Sequence, residues 1–201
     1  KAARASASLH FALAYRYTWA YRPCVVAIAG LSASGKSTVA EVLARRTGFA
    51  RISSNHVRKE LAGLPLTARP QGSYGAGIYS AEFSDRTYRT MFDRARRTVA
   101  AGGGVILDAT FQLAIGRATA RDIATAHRIP FLLVECRCSN AEARKRLDRR
   151  SREGVDASDA DWRVYREQQR RFEPFDEHGD TDRLILDTEA APEVLTVRVE
   201  Q

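Results

Sequence analysis

The stretch IAGLSASGKSTVAEVLA, from Ile28 to Ala44, begins with apolar residues, breaks into small and polar ones, and resumes with the spacing of a helix. Just upstream, Pro23 disfavours helical geometry at Arg22, and Cys24 to Ala29 then runs apolar and rich in Val and Ile, as a buried strand does. Just downstream, Lys36 to Thr47 places Val39, Val42 and Leu43 on one helical face and stops before Gly48, a residue suited to a left-handed helix end. Between strand and helix, Gly30-Leu31-Ser32-Ala33-Ser34-Gly35-Lys36-Ser37, followed by Thr38, fulfils the spacing G-x-x-x-x-G-K-[ST] in full. A flexible Gly/Ser turn would share the composition but has no use for this spacing. The glycines let backbone N–H groups turn inward around phosphates, Lys36 offers a point charge to the outer phosphates, and the Ser37 hydroxyl suits Mg²⁺. Gly30, Ser32, Ala33, Ser34, Gly35, Lys36, Ser37 and Thr38 are therefore the candidate cradle of a triphosphate. Whether that triphosphate is only held, is cut by water or is handed to a second molecule depends on the rest of the chain.

A magnesium site needs a carboxylate at the end of a neighbouring strand, and Val105-Ile106-Leu107-Asp108 delivers one where its apolar run stops. Asp108 thus joins Ser37 as a candidate metal ligand, with helix or turn capping as its plain alternative. The chain contains no N-K-x-D segment for reading guanine and no glycine-rich transporter signature, which argues against two large hydrolytic classes. Transfer to a second molecule calls instead for cations around the migrating group. Arg58 and Lys59 follow the second strand, and Arg144, Lys145, Arg146, Arg149, Arg150 and Arg152 crowd the end of a later helix; Arg58, Arg146 and Arg150 are the candidates, beside the reading of an exposed charged face. His10, His56, His127 and His178 have no ligand spacing and read as surface or capping residues, and Tyr74, Tyr79 and Phe83 as packing.

Other segments repeat the alternation of strand and helix. Ala50 to Ser53 reads as a strand, and Asn55 as the cap of a short helix through Leu61. Leu64 to Tyr79, with two prolines and three glycines, reads as a long binding loop or lid. Ser80 caps a helix with Phe83, Met91, Ala95 and Val99 on one face, ending at Gly102-Gly103-Gly104. Strand Val105–Asp108, a helix from Ala114 to His127 and strand Phe131–Arg137 follow. Ser139 to Glu142 is a capping box for a helix through Arg150, Ser158-Asp159-Ala160-Asp161 starts another, and Leu184–Leu186 is the last strand. Strands alternating with helices predict an α/β fold with a parallel sheet covered on both faces.

The 201 residues, 44% of them hydrophobic, suffice for one full core and one domain. The net charge of +8 would suit a polyanion, but arginine-rich chains are often basic all over, and nucleic acid is not the expected partner. Cys24, Cys136 and Cys138 are too few and too irregular for a disulfide framework or a zinc site, so reduced core thiols are expected. No run of about 18 apolar residues spans a membrane. The expected location is the cytoplasm.

The segments GLSASGKST, SSNHVRKELAGLP, YGAGIYS, ILDATF, RKRLDRR and DASDAD together resemble the P-loop predicted-kinase domain that bacteria often carry after an aminoglycoside-phosphotransferase-like domain. That family lies in the broader group of gluconate kinase, zeta toxins and polynucleotide kinase, and the resemblance covers Pro23 to Thr188. It implies an adenylate-kinase-like three-layer fold with sheet order 2-3-1-4-5, binding of ATP and Mg²⁺, and transfer of the γ-phosphate to a hydroxyl of a small molecule. It further implies a helical connector or end of a preceding, phosphotransferase-like domain over Lys1–Arg22, and the kinase-like domain over residues 23–201. Where the family has S-D-x-x-R-K this chain has Ser54-Asn55-His56-Val57-Arg58-Lys59. An amide cannot take a proton, so Asn55 occupies the catalytic position without the acceptor-activating carboxylate. Two other readings follow: a nucleotide-binding regulatory module with little turnover, favoured by Asn55, and a 5′-hydroxyl nucleic-acid kinase, motivated by the charge.

Overall fold

In the computed structural model the described residues are 22–68, 75–153, 160–175 and 182–189. The expected connector, apart from Arg22, lies outside them, as do Tyr74, His10 and His178. Five strands, β1 (Val25–Ala29), β2 (Ala50–Ser53), β3 (Val105–Asp108), β4 (Phe131–Arg137) and β5 (Arg183–Asp187), form one sheet in the order β2-β3-β1-β4-β5. All four pairings are parallel, with Val25 opposite both Val105 and Phe131, Ala50 opposite Val105, and Leu133 opposite Arg183. The helices are α1 (Lys36–Thr47), α2 (Ser54–Leu61), α3 (Ala81–Ala100), α4 (Ala114–Ala126), α5 (Asn140–Glu153) and α6 (Trp162–Arg171), with a 3₁₀ turn at Gly77–Tyr79.

The apolar strands alternate between two cores because successive side chains leave opposite faces of a strand. Val25, Ala27, Ala29, Ile52, Leu107 and Leu133 pack under Met91, Ala95 and Val99 of α3 and Ile123 of α4. Val26, Ile28, Ile106, Val134 and Leu186 pack on Val39, Ala40 and Leu43 of α1, with Ala40 buried where Val42 was expected and Val42 only half-buried. A third cluster of Ala33, Ala143, Leu147 and Tyr165 joins α5 and α6 to the loop after β1. The carboxyl ends of β1, β2 and β3 thus lie together beside the point where the connections from neighbouring β1 and β3 leave to opposite faces of the sheet, toward α1 and α4, the usual place of a ligand in such a sheet. Among the described residues, no helix is long and apolar enough to cross a membrane.

Some element ends differ from expectation. Asn55 is no cap: α2 starts at Ser54, with Ser53 in extended geometry before it, because strand β2 turns into the helix with no intervening loop. Asn55 sits in the first turn. Ser139 Oγ accepts from the Glu142 N–H at 3.2 Å, but the reciprocal half of that capping box is not made: Ser139 N–H donates to Glu189, and the Glu142 carboxylate takes Arg146 instead. Helix α5 runs past Arg150 to Glu153. Helix α6 begins at Trp162 with Asp161, whose carboxylate accepts from Val164 N–H at 2.8 Å, as its cap; Ser158 and Asp159 lie outside the described residues.

Candidate active site

The loop between β1 and α1 is shaped from beneath and behind. Gly30 (φ 140°) passes so close to β4 that a Cβ there would lie 2.4 Å from the Cys136 carbonyl oxygen. Gly35 (φ 83°) stands at the start of α1, and a Cβ there would press on Thr188 at 3.1 Å. Both approaches require glycine. Thr188, just after β5, donates its hydroxyl toward Ser34 O at 2.8 Å, which fixes the loop from the far side of the sheet. Helix α1 has no side-chain cap and no acidic residue in its first turn, so its leading N–H groups and positive dipole end are turned to the loop. This is an anion cradle by construction.

Lys36 leads α1 and donates to Leu31 O at 2.6 Å across the loop. Burial lowers the pKa of its ammonium below the ordinary lysine value, with Asp108 acting in the opposite sense. Ser37 Oγ lies 3.4 Å from Asp108 Oδ1. Asp108, only 3% exposed at the end of β3, gives its other oxygen to Arg51, whose Nη2 donates at 2.6 Å and Nε at 3.2 Å. The donor set fits Mg²⁺: a hydroxyl and a carboxylate oxygen face one another beside the cradle, both hard ligands of the kind that cation prefers.

A cavity of about 1300 Å³ opens from the cradle and runs between α2, α3 and α4. Ser32, Ala33, Gly35, Lys36, Ser37, Thr38, Asn55, Arg58, Asp108 and Arg150 all line it. Gly30 and Ser34 shape the loop from below without lining it, and Ser34 Oγ is a buried hydroxyl with no hydrogen-bond partner among the described residues. Arg58 is fixed against the far wall: its Nη1 donates to Ile78 O at 2.7 Å and Ser84 Oγ at 3.1 Å, and its guanidinium lies 5.2 Å from the Tyr79 ring centroid. Lys59 is not brought to the cavity. It is fully buried, and its Nζ donates to Leu66 O and Ala68 O, holding the start of the long loop. Arg146 also stays behind the cradle, donating to Glu142, Ala33 O and Thr188 O.

Four residues of the site were not singled out from the sequence as site residues. Arg51 and His56 reach the cavity from the β2–α2 segment, Gln168 from α6 and Thr188 the cradle from the end of β5, and the histidine was read as a surface or capping residue. Burial, with Arg51 and Lys59 adding to it and Asp108 opposing, holds the His56 imidazole below its ordinary pKa. For Arg51 a signal exists: it faces the same side as Ser53 two residues on, at a strand end beside Asp108.

Among proteins of known sequence, uncharacterized proteins of Mycobacterium tuberculosis strain H37Rv and Mycobacterium bovis are each 30% identical over 137 residues, 68% of this chain. The chain spans only 27% of the length of these relatives. Solved structures share the fold. A gluconokinase of Sinorhizobium meliloti superposes with a TM-score of 0.59 at 17% identity over 87% of this chain and 88% of its own. The Mycobacterium tuberculosis APS kinase CysC, in complex with AMPPNP and APS, gives 0.61 at 20% over 89% and 96%. Chaetomium thermophilum Kti12, in complex with ADP-AlF3, gives 0.64 at 16% over 88% and 97%. A family model described as an AAA domain matches residues 25–175, and with the phosphate-binding loop and sheet order above, the chain belongs to that family.

Proposed function

We propose that this domain transfers the γ-phosphoryl group of ATP to a hydroxyl of a small-molecule acceptor. The observation that carries the proposal is the cavity. Its volume of about 1300 Å³ exceeds the roughly 300–1000 Å³ of a single ligand pocket, and it joins the cradle to a second region walled by α2, α3 and α4. That suits a donor and an acceptor held together. The loop amides and Lys36 hold the phosphates, Ser37 and Asp108 would hold Mg²⁺, and Arg58 and Arg150 face the charge of the migrating group. Bound there, the metal would supply neutralisation of phosphate charge. Asn55 orients the acceptor hydroxyl by hydrogen bonding, and Arg146 acts as a positioning residue that braces the cradle. Use of ATP and the unpaired Cys24, Cys136 and Cys138 support a cytoplasmic reaction, the short span of the relatives that it covers supports a role as one module of a longer chain, and the family resemblance suggests a phosphotransferase-like domain as its neighbour.

Incubation with labelled ATP and a panel of sugars, aminoglycosides, nucleosides and oligonucleotides tests this reading. ADP release that rises with one acceptor class is expected. Stabilisation by ATP without acceptor-dependent turnover would favour a regulatory module, the reading that Asn55 supports. Lys36→Ala should abolish the thermal shift that ATP produces and leave the nucleotide-free protein as stable as before, because burial already disfavours the lysine charge. An undiminished shift in that variant would remove the cradle assignment.

A further inference from the structure

Gln168 lies 136 residues from the cradle in sequence, yet its Oε1 accepts the N–H of Ser32 at 2.9 Å. Because Ser32 offers a donor, the amide orientation is fixed: the oxygen meets the loop and the NH₂ group is directed elsewhere. Gln168 lines the cavity, and its Nε2 has no hydrogen-bond partner among the described residues. Val164, Gln168 and Arg171, spaced by four and three, form the face of α6 that borders the cavity, while Tyr165 on another face is buried against Ala33. The helix is not free to drift. Tyr165 Oη donates to Asn140 Oδ1 at 2.8 Å at one end, and Glu173 N–H donates to Gln112 O at 3.0 Å beyond the other. The protein therefore holds a neutral two-NH donor, rigidly placed, beside the phosphate cradle.

We propose that Gln168 is a phosphate-binding residue that distinguishes tri- from diphosphate: its carbonyl is committed to Ser32 and its NH₂ donates to an oxygen of the terminal phosphoryl group. This rests on the reading of the domain as an ATP site. A carboxamide suits the task, since it adds donors without the charge that would hold product ADP as firmly as ATP. Loss of one such bond to a charged group corresponds to roughly a tenfold or larger change in affinity.

Gln168→Glu separates this role from simple bracing, because the carboxylate still accepts the Ser32 N–H but offers the phosphate a negative charge in place of a donor. Binding of the non-hydrolysed analogue AMPPNP and of ADP, each with Mg²⁺, is measured by calorimetry on wild type, Gln168→Glu, Gln168→Leu and Lys36→Ala. The expected result is at least a tenfold loss of AMPPNP affinity in Gln168→Glu, a smaller loss in Gln168→Leu, and ADP affinity within threefold of wild type in both, with unchanged melting temperatures. Gln168→Glu binding AMPPNP like wild type would overturn the proposal and leave Gln168 a brace of the loop; equal losses for ADP and AMPPNP would overturn it too. Wild type that binds neither nucleotide, indistinguishable from Lys36→Ala, would instead overturn the reading as an ATP site.

Discussion

At the residue scale the chemistry turns on Asp108 and Asn55. One oxygen of Asp108 is held by Arg51 at 2.6 Å and the other faces Ser37 at 3.4 Å, so in its proposed role as a metal ligand the carboxylate is directed at the cradle and not at the proton of an acceptor hydroxyl. Asn55, on the cavity wall, is an amide and takes no proton either. Phosphoryl transfer depends mainly on positioning and charge, and general-base help is typically worth about 10²–10⁴-fold, so under the proposed function the site as built would be slow rather than inert. Asn55→Asp is therefore expected to raise acceptor-dependent ADP formation by at least tenfold, read as steady-state ADP release with a confirmed acceptor. A fall in rate would mean that the new carboxylate repels the triphosphate and that the amide is adapted to its place. The substitution was legible from the sequence, because it departs from a local motif. The engagement of Asp108 was not, because Arg51 meets it across two strands.

At the element scale, the segment from β1 through the loop to α1 was readable because all its determinants are adjacent: an apolar strand, two close-approach glycines, a lysine and an apolar helical stripe. The other wall of the site was not. The chain leaving helix α6 is held by Arg117 of α4, only 8% exposed, whose Nη1 donates to Phe111 O at 2.9 Å and whose Nη2 donates to Glu173 O at 3.2 Å and Pro174 O at 2.8 Å. Its guanidinium also lies 4.5 Å from the centroid of Phe175. These are bonds from one side chain to distant carbonyls, and no periodicity announces them. They strap the chain beyond α6 to the segment that follows Asp108. Arg117→Met keeps much of the apolar volume but leaves the buried Phe111 carbonyl, and the partly buried carbonyls of Glu173 and Pro174, without this donor, at a cost of about 1–3 kcal/mol. Hydrogen exchange should then show the α6 amides opening at least tenfold faster while those of β1 and β3 change less. Uniform acceleration across the sheet would mean that Arg117 supports the whole core and not the one helix.

At the scale of the whole molecule, the question is whether a net charge of +8 makes a surface for nucleic acid. Part of the positive charge on the helices is matched where it stands. Arg45 pairs with Glu41, Arg89 with Asp85, Arg94 with Glu60, Arg96 with Asp93, Lys145 with Glu142, and both Arg170 and Arg171 with Glu167. Such exposed pairs add little stability, but each places a carboxylate beside a cation that would otherwise face a phosphate backbone. A nucleic-acid track needs unopposed cations along a groove, because affinity comes from counterions released as phosphates are neutralised. Oligonucleotide binding is accordingly expected to be weak, and to fall steeply as NaCl rises from about 50 to 200 mM, with ATP failing to compete since the contacts lie outside the cradle. Fluorescence anisotropy with a labelled single strand reads all three quantities. Binding that persists at physiological salt and is displaced by ATP would place the strand's end in the cavity beside the phosphates and would turn the acceptor assignment from a small molecule to a nucleic-acid hydroxyl.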